Sequence, residues 1–236
     1  MDGSIAHPDP VARRAALESL LTALDGELRD AAMKVADMDL TASLREFARL
    51  LGSIDPRSPA PAGDASAEQL TVCRFWEASL RGASDVPRSL VAALETLGPS
   101  LSWAQNPNYR HQPPDATFLA NYGYAVIAGP VDGPPALVVD PRLALGVLLL
   151  GPRAHYPLHA HPAVEIYYTL TQGGEWWRGD GPWRQEPPGA LIHHAPDVRH
   201  ATRAGASPLL AIYLWRGDLV THATLNGIAP DSTTRV

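Results

Sequence analysis

The stretch His159-Ala-His161-Pro-Ala-Val-Glu165-Ile-Tyr167-Tyr168 decides how the rest of this chain is read. In an extended strand successive side chains point to opposite faces, so His159, His161, Glu165 and Tyr167 share one face if the backbone keeps that period. Val164, Ile166 and Tyr168 then point the other way, into packing. Two imidazoles and a carboxylate on one side are donors that borderline divalent transition metals accept. One more histidine completes such a set, and His200 is the expected one. Pro187-Pro-Gly189 opens a second apolar run, Ala190-Leu-Ile192, and Ala195-Pro-Asp-Val-Arg-His200 follows at a turn into another strand. His193 and His194 precede that turn and are expected to be non-ligands.

At 236 residues, 45% of them hydrophobic, the chain can bury a sizeable core. Its formal charge of -6 comes from 25 acidic against 19 basic residues, with no basic run, so a nucleic-acid partner has no electrostatic footprint. Cys73 is the single cysteine and cannot form an intramolecular disulfide; its apolar helical setting predicts a buried thiol. Met1-Asp-Gly-Ser-Ile-Ala-His-Pro8 lacks a basic segment followed by an apolar one, and no run approaches the length that spans a bilayer. A cytoplasmic protein with no membrane partner is expected.

In chain order, Asp9-Pro10 reads as a helix cap and first turn, with Leu17, Leu20, Leu21, Leu24 and Leu28 as one apolar stripe. A second helix is predicted from near Asp39, with Leu40, Leu44, Phe47 and Leu51 on one side and Gly52 as its stop. Residues 54–65 carry three prolines and a glycine and read as a linker. Ser66-Ala-Glu-Gln69 is a capping-box pattern opening a helix through Leu80, and Asp85-Val-Pro87 opens a shorter one closed by Gly98-Pro99. Residues 1–100 are therefore expected to form a helical region with a packing, shielding or dimerising role, so a homodimer stays open. From residue 101 aromatic residues and short apolar runs alternate with Gly/Pro clusters. Tyr122–Ile127, Ala136–Val139, Leu143–Leu150, the histidine stretch, Gly174–Trp177, Ala190–Ile192 and Leu209–Trp215 are spaced as a β-barrel over 101–236.

The pattern HxHxxxE, a Gly/Pro-punctuated segment and then PxxxH resembles the two motifs of the cupin superfamily, over about residues 120–220. The usual glycines fall slightly early, at Gly151, and slightly late, at Gly173. The resemblance implies an α+β fold: a C-terminal cupin β-barrel, or jelly roll, preceded by an N-terminal α-helical region. It also implies one divalent transition metal ion, zinc, iron or manganese, on His159, His161, Glu165 and His200.

The ligand set alone does not choose a reaction, since cupins carrying it include dioxygenases, lyases and non-catalytic binding proteins. Tyr167, two residues past Glu165, should aim its phenol toward the metal. Parity cannot fix the direction of Tyr156, which lies across Pro157 from His159. Tyr213 reads as barrel-core packing. The extension HxHxxxExY is similar to the cupin-type dimethylsulfoniopropionate lyases, as are the Asn121-Tyr122-Gly-Tyr124 strand and the run Tyr213-Leu-Trp-Arg-Gly-Asp218. That resemblance implies Tyr167 as general base, Tyr156 as a second active-site tyrosine, Trp215 as a pocket tryptophan, and a small zwitterionic substrate. Tyr122, Tyr124 and Trp215 would then offer ring faces to its sulfonium cation. An iron dioxygenase and a non-catalytic cupin ligand-binding protein remain the alternatives at this point.

Overall fold

A computed structural model describes residues 8–58, 69–83 and 85–225. Helix α1 (Pro10–Lys34) starts where Asp9 accepts hydrogen bonds from the backbone N–H groups of Val11 and Ala12, at 2.8 and 3.0 Å. Such a cap contributes about 1 kcal/mol. Helix α2 (Met38–Leu51) is capped the same way by Asp37, so it begins one residue before Asp39, which lies in its first turn. Of the expected capping box, Ser66, Ala67 and Glu68 fall outside the described residues. Leu70 is extended (ψ 143°), and the next helix opens as a 3-10 turn at Thr71–Phe75 before α3 (Trp76–Arg81). Helix α4 (Arg88–Leu97) and the short α5 (Pro107–His111) follow.

Among the described residues there are twelve strands: β1 (Trp103–Ala104), β2 (Tyr122–Gly129), β3 (Val138–Val139), β4 (Leu143–Leu150), β5 (His155–Ala160), β6 (Val164–Thr169), β7 (Glu175–Arg178), β8 (Arg184–Gln185), β9 (Leu191–His194), β10 (His200–Arg203), β11 (Leu209–Arg216) and β12 (Thr224–Leu225). The larger sheet runs β1-β2-β4-β11-β6-β9, with β3 beside β2, and the smaller runs β12-β5-β10-β7-β8. All pairs are antiparallel except β2–β3.

The larger sheet has two buried faces. Outward, Leu145, Val147, Leu149, Ile166, Tyr168, Ile212 and Leu214 join Leu20, Leu24, Leu44, Leu90 and Leu94 of the helices in one hydrophobic core. Inward, Leu148, Tyr167 and Tyr213 meet Tyr156 and Trp176 of the smaller sheet in a second. Helices, large sheet and small sheet are thus three stacked layers. A strand buried on both sides needs no polar alternation, which is why Leu143–Leu150 reads as an unbroken apolar run. Cys73 is buried, as expected, and that burial pushes its thiol pKa up to about 11, which disfavours the thiolate.

Gly146 sits in β4 opposite Tyr213. A Cβ there would overlap the Ala125 carbonyl oxygen and lie 2.5 Å from the Tyr213 ring, so the ring can lie against the strand only over a glycine. Gly146→Ala is expected to destabilise the fold by about 1–3 kcal/mol through overpacking, seen as a lower denaturation midpoint with an unchanged slope.

Candidate active site

The histidine stretch does not run along one strand. His159 lies on β5 of the smaller sheet and Glu165 and Tyr167 on β6 of the larger, with His161-Pro162-Ala163 as the turn between them. Pro162 has no N–H to give a ladder, so the chain turns and changes sheet. The donors therefore converge across a corner, from facing sheets, and not from one face of a strand.

A β-bulge settles the direction of Tyr156. His200 pairs with His159 but Thr202 pairs with Tyr156, so two steps on β10 match three on β5. The extra residue turns both Tyr156 and His159 inward, and their rings stack at 3.9 Å and 9°. The Tyr156 hydroxyl donates to that of Tyr109 at 3.2 Å.

His161, Glu165 and His200 are buried and bring donor atoms within 4.8 Å of one another. Both His161 Nε2 and His200 Nε2 lie 3.2 Å from Glu165 Oε2. Two bonds of about 2.1 Å that meet on a single ion hold their donors roughly this far apart. His159 lies beside this trio, its ring 4.0 Å from that of His200 and edge-on to it.

The tautomers also suit a cation. The Nδ1 atoms of His159, His161 and His200 face backbone carbonyls of Pro157, Ala163 and Val198 at 2.7, 3.1 and 2.8 Å. Each Nδ1–H donates there, leaving Nε2 as a lone pair, the arrangement that orients a ligating imidazole. In a neutral ring the Nε2 lone pairs of His161 and His200 then face the carboxylate lone pairs, and His200 Nε2 has no hydrogen-bond partner among the described residues. A cation between them removes the conflict, so these residues fit a divalent metal.

Glu165 has two further neighbours, both in register with it. On one side β11 places Trp215 opposite Glu165, and its Nε1–H donates to Oε1 at 2.5 Å. On the other, β9 places His194 opposite, with Nδ1 3.0 Å from Oε2. Burial opposes charge on Glu165, yet His161, His194 and His200 hold its pKa well below the usual carboxylate range. Burial, with His200 alongside, lowers His159 far below its ordinary value and His194 to about 3. Burial first, then the Glu165 carboxylate, pushes Tyr167 well above 10.

A cavity of about 90 Å³ opens on this cluster. Glu165, Tyr167, Tyr156, Tyr122, Tyr124 and Trp215 all line it. Tyr213 does too, although the sequence read it as core, and so do Asn106 and His222. Tyr109 reaches Tyr156 from α5, a contact across 47 residues that no local pattern announces. His194, set apart from the ligands by its place before the turn, points into the cluster. The alternation Leu191-Ile192-His193-His194 carried that signal, since Ile192 faces the inner core and His193 turns out to Ser43 Oγ at 3.1 Å.

A family model for dimethylsulfoniopropionate lyase matches residues 42–211. Dimethylsulfoniopropionate lyase DddQ of Ruegeria pomeroyi is 40% identical over 83 residues, 35% of this chain and 41% of that protein. A Cereibacter sphaeroides protein, provisionally named dimethylsulfoniopropionate lyase DddL, is 30% identical over 137 residues, 58% of this chain and 54% of that protein. The matches thus span about half or less of these relatives' lengths. The crystal structure of DddQ from Ruegeria pomeroyi superposes with a TM-score of 0.64 at 23% identity, covering 90% of this chain and 96% of that one. A crystal structure from work on the lyases RdDddP and RnDddQII gives 0.62 at 24% identity, covering 90% and 98%. The fold is accordingly α+β, the cupin fold behind N-terminal helices, with the strands of the expected barrel in two facing sheets that are not joined into one closed sheet among the described residues.

His161→Ala and Glu165→Ala should each leave the purified protein with little bound metal, a loss larger than the roughly 10- to 100-fold typical of removing an outer partner. His193→Ala, whose side chain faces α2, should keep the native content. Elemental analysis of the three variants decides, and full metal content in the first two would overturn the ligand assignment.

Proposed function

The chain belongs to the dimethylsulfoniopropionate lyase family, and we propose that it is a carbon–sulfur lyase that splits dimethylsulfoniopropionate into dimethyl sulfide and acrylate. The observation that carries this reading is one cavity lined by Glu165 of the histidine–carboxylate cluster, by Tyr167 and by further tyrosine rings. The substrate is a zwitterion, a carboxylate at one end and a dimethylsulfonium at the other, and each end has its counterpart.

In this reading His159, His161, Glu165 and His200 hold one divalent metal. That ion, whether zinc, iron or manganese, supplies Lewis acidity for the carboxylate and positive charge beside Tyr167, with no redox change. Tyr122 and Tyr124 present ring faces to the sulfonium, a contact of about 0.5–2 kcal/mol. Trp215 offers less, because the His161 ring covers it at 4.1 Å and its N–H is committed to Glu165.

Tyr167 acts as the base in a β-elimination. As the phenolate, its oxygen takes the proton from the α-carbon and becomes the phenol, the C–H electron pair becomes the second bond of acrylate, and sulfur leaves with the pair of the C–S bond as neutral dimethyl sulfide. Burial, then Glu165, push the phenol's pKa up in the bare protein, so in this reading a phenolate there depends on a cation beside it. Chelation should therefore abolish turnover while the fold persists. Tyr156 is the second active-site tyrosine in this scheme; stacked on His159, it holds that ring in place.

Tyr167→Phe removes only the hydroxyl. It should retain metal and fold and lose about 10²- to 10⁴-fold in dimethyl sulfide release, measured in the headspace. Substrate deuterated at the α-carbon should react more slowly with the native enzyme, and removal of oxygen should leave the rate unchanged. Release at the native rate by Tyr167→Phe would move the base to Tyr156, and an oxygen requirement would overturn the lyase reading.

A further inference from the structure

Four buried histidines surround Glu165, and one of them is wired in the opposite sense. His159, His161 and His200 each turn Nδ1 to a backbone carbonyl and keep Nε2 for the centre. His194 turns Nδ1 to the carboxylate itself, at 3.0 Å, and its Nε2 has no partner among the described residues. A proton on Nε2 would be a buried donor without an acceptor, and Nδ1 would then set a lone pair against carboxylate oxygen. The proton therefore sits on Nδ1, where it makes a charge-assisted hydrogen bond, and this nitrogen has no lone pair for a metal.

The geometry points to His194 as a positioning residue: it donates Nδ1–H to Glu165 Oε2 while Trp215 donates Nε1–H to Oε1, so the carboxylate is clamped between its two cross-strand neighbours. The β9–β6–β11 register, His194 opposite Glu165 opposite Trp215, makes the clamp part of the sheet. The His194 ring also stacks on that of His200, at 3.8 Å and 20°, so the same side chain braces two donors. With both oxygens spoken for, Glu165 cannot rotate to offer the pair together and presents Oε2 to the centre in a fixed direction. The inference rests on the metal reading of Glu165 and reaches a residue outside the four donors.

Amide substitutions separate this role from simple packing. In His194→Asn the amide N–H takes the place of Nδ1, whereas in His194→Gln it takes the place of Nε2. Cobalt(II) loading, the visible cobalt spectrum and metal loss to a competing chelator are the readouts, with circular dichroism as the check on folding. His194→Asn should hold cobalt within about threefold of native with the same spectrum. His194→Gln should fall by roughly 10- to 100-fold, the range for an outer partner, with an altered spectrum. Equal retention in both variants, or equal loss, would overturn the clamp. A native protein that takes up no cobalt would instead remove the metal reading, and this inference with it.

Discussion

A carboxylate with no contact with water has to be surrounded by donors, and that requirement at Glu165 organises the inner half of this molecule. Oε1 receives the Trp215 N–H and Oε2 the His194 N–H, while Nε2 of His161 and of His200 each lie 3.2 Å from Oε2 and suit a shared cation. These groups come from β6, β9, β10, β11 and the turn after β5, so two sheets must meet in one register for the charge to be tolerated. Because strand side chains alternate, a slip of one residue along β6 would carry Glu165 and Tyr167 out of the cavity together and bring Ile166 in.

The helices guard against that slip from the other side. Ile166 and Tyr168 face outward into the core shared with α1, α2 and α4, and the Tyr168 hydroxyl reaches Glu27 of α1 at 2.9 Å. Every residue of β6 that faces the helices is matched to a neighbour that faces the site. Apolar packing on one face thereby enforces polar geometry on the other, and the N-terminal half acts on the chemistry without contributing a donor to it.

Much of this was legible in the sequence because it rests on local rules. Asp9-Pro10 announced α1, the leucine stripe its buried side, and the unbroken Leu143–Leu150 run a strand covered on both faces. His161, Glu165 and His200, whose donor atoms lie within 4.8 Å of one another, were readable as candidates from residue type and spacing, and His159 lies beside them. Their arrangement was not, because strict alternation assumes one straight strand and Pro162 turns the chain into a second sheet. Tyr109, Asn106 and Tyr213 needed tertiary context: a short helix carries the first two, and the third faces the cavity over a glycine on a neighbouring strand. His194 lay between these cases, visible by parity from Ile192 but masked by its distance from the motif. Of the helix expected from Ser66, the described part is extended at Leu70 and turns helical from Thr71.

The extra residue in β5 sets how this site can change over time. Tyr156 and His159 face the same way only because three steps on one strand match two on the other. No exchange of one side chain for another alters that count. Variation at the two positions can tune the aromatic wall or the imidazole separately, but their joint inward orientation depends on the extra residue between them. A barrel with straight alternation in this strand can hold one of the pair at the centre and not both, so the stacked pair divides barrels by length of chain, not by choice of residue.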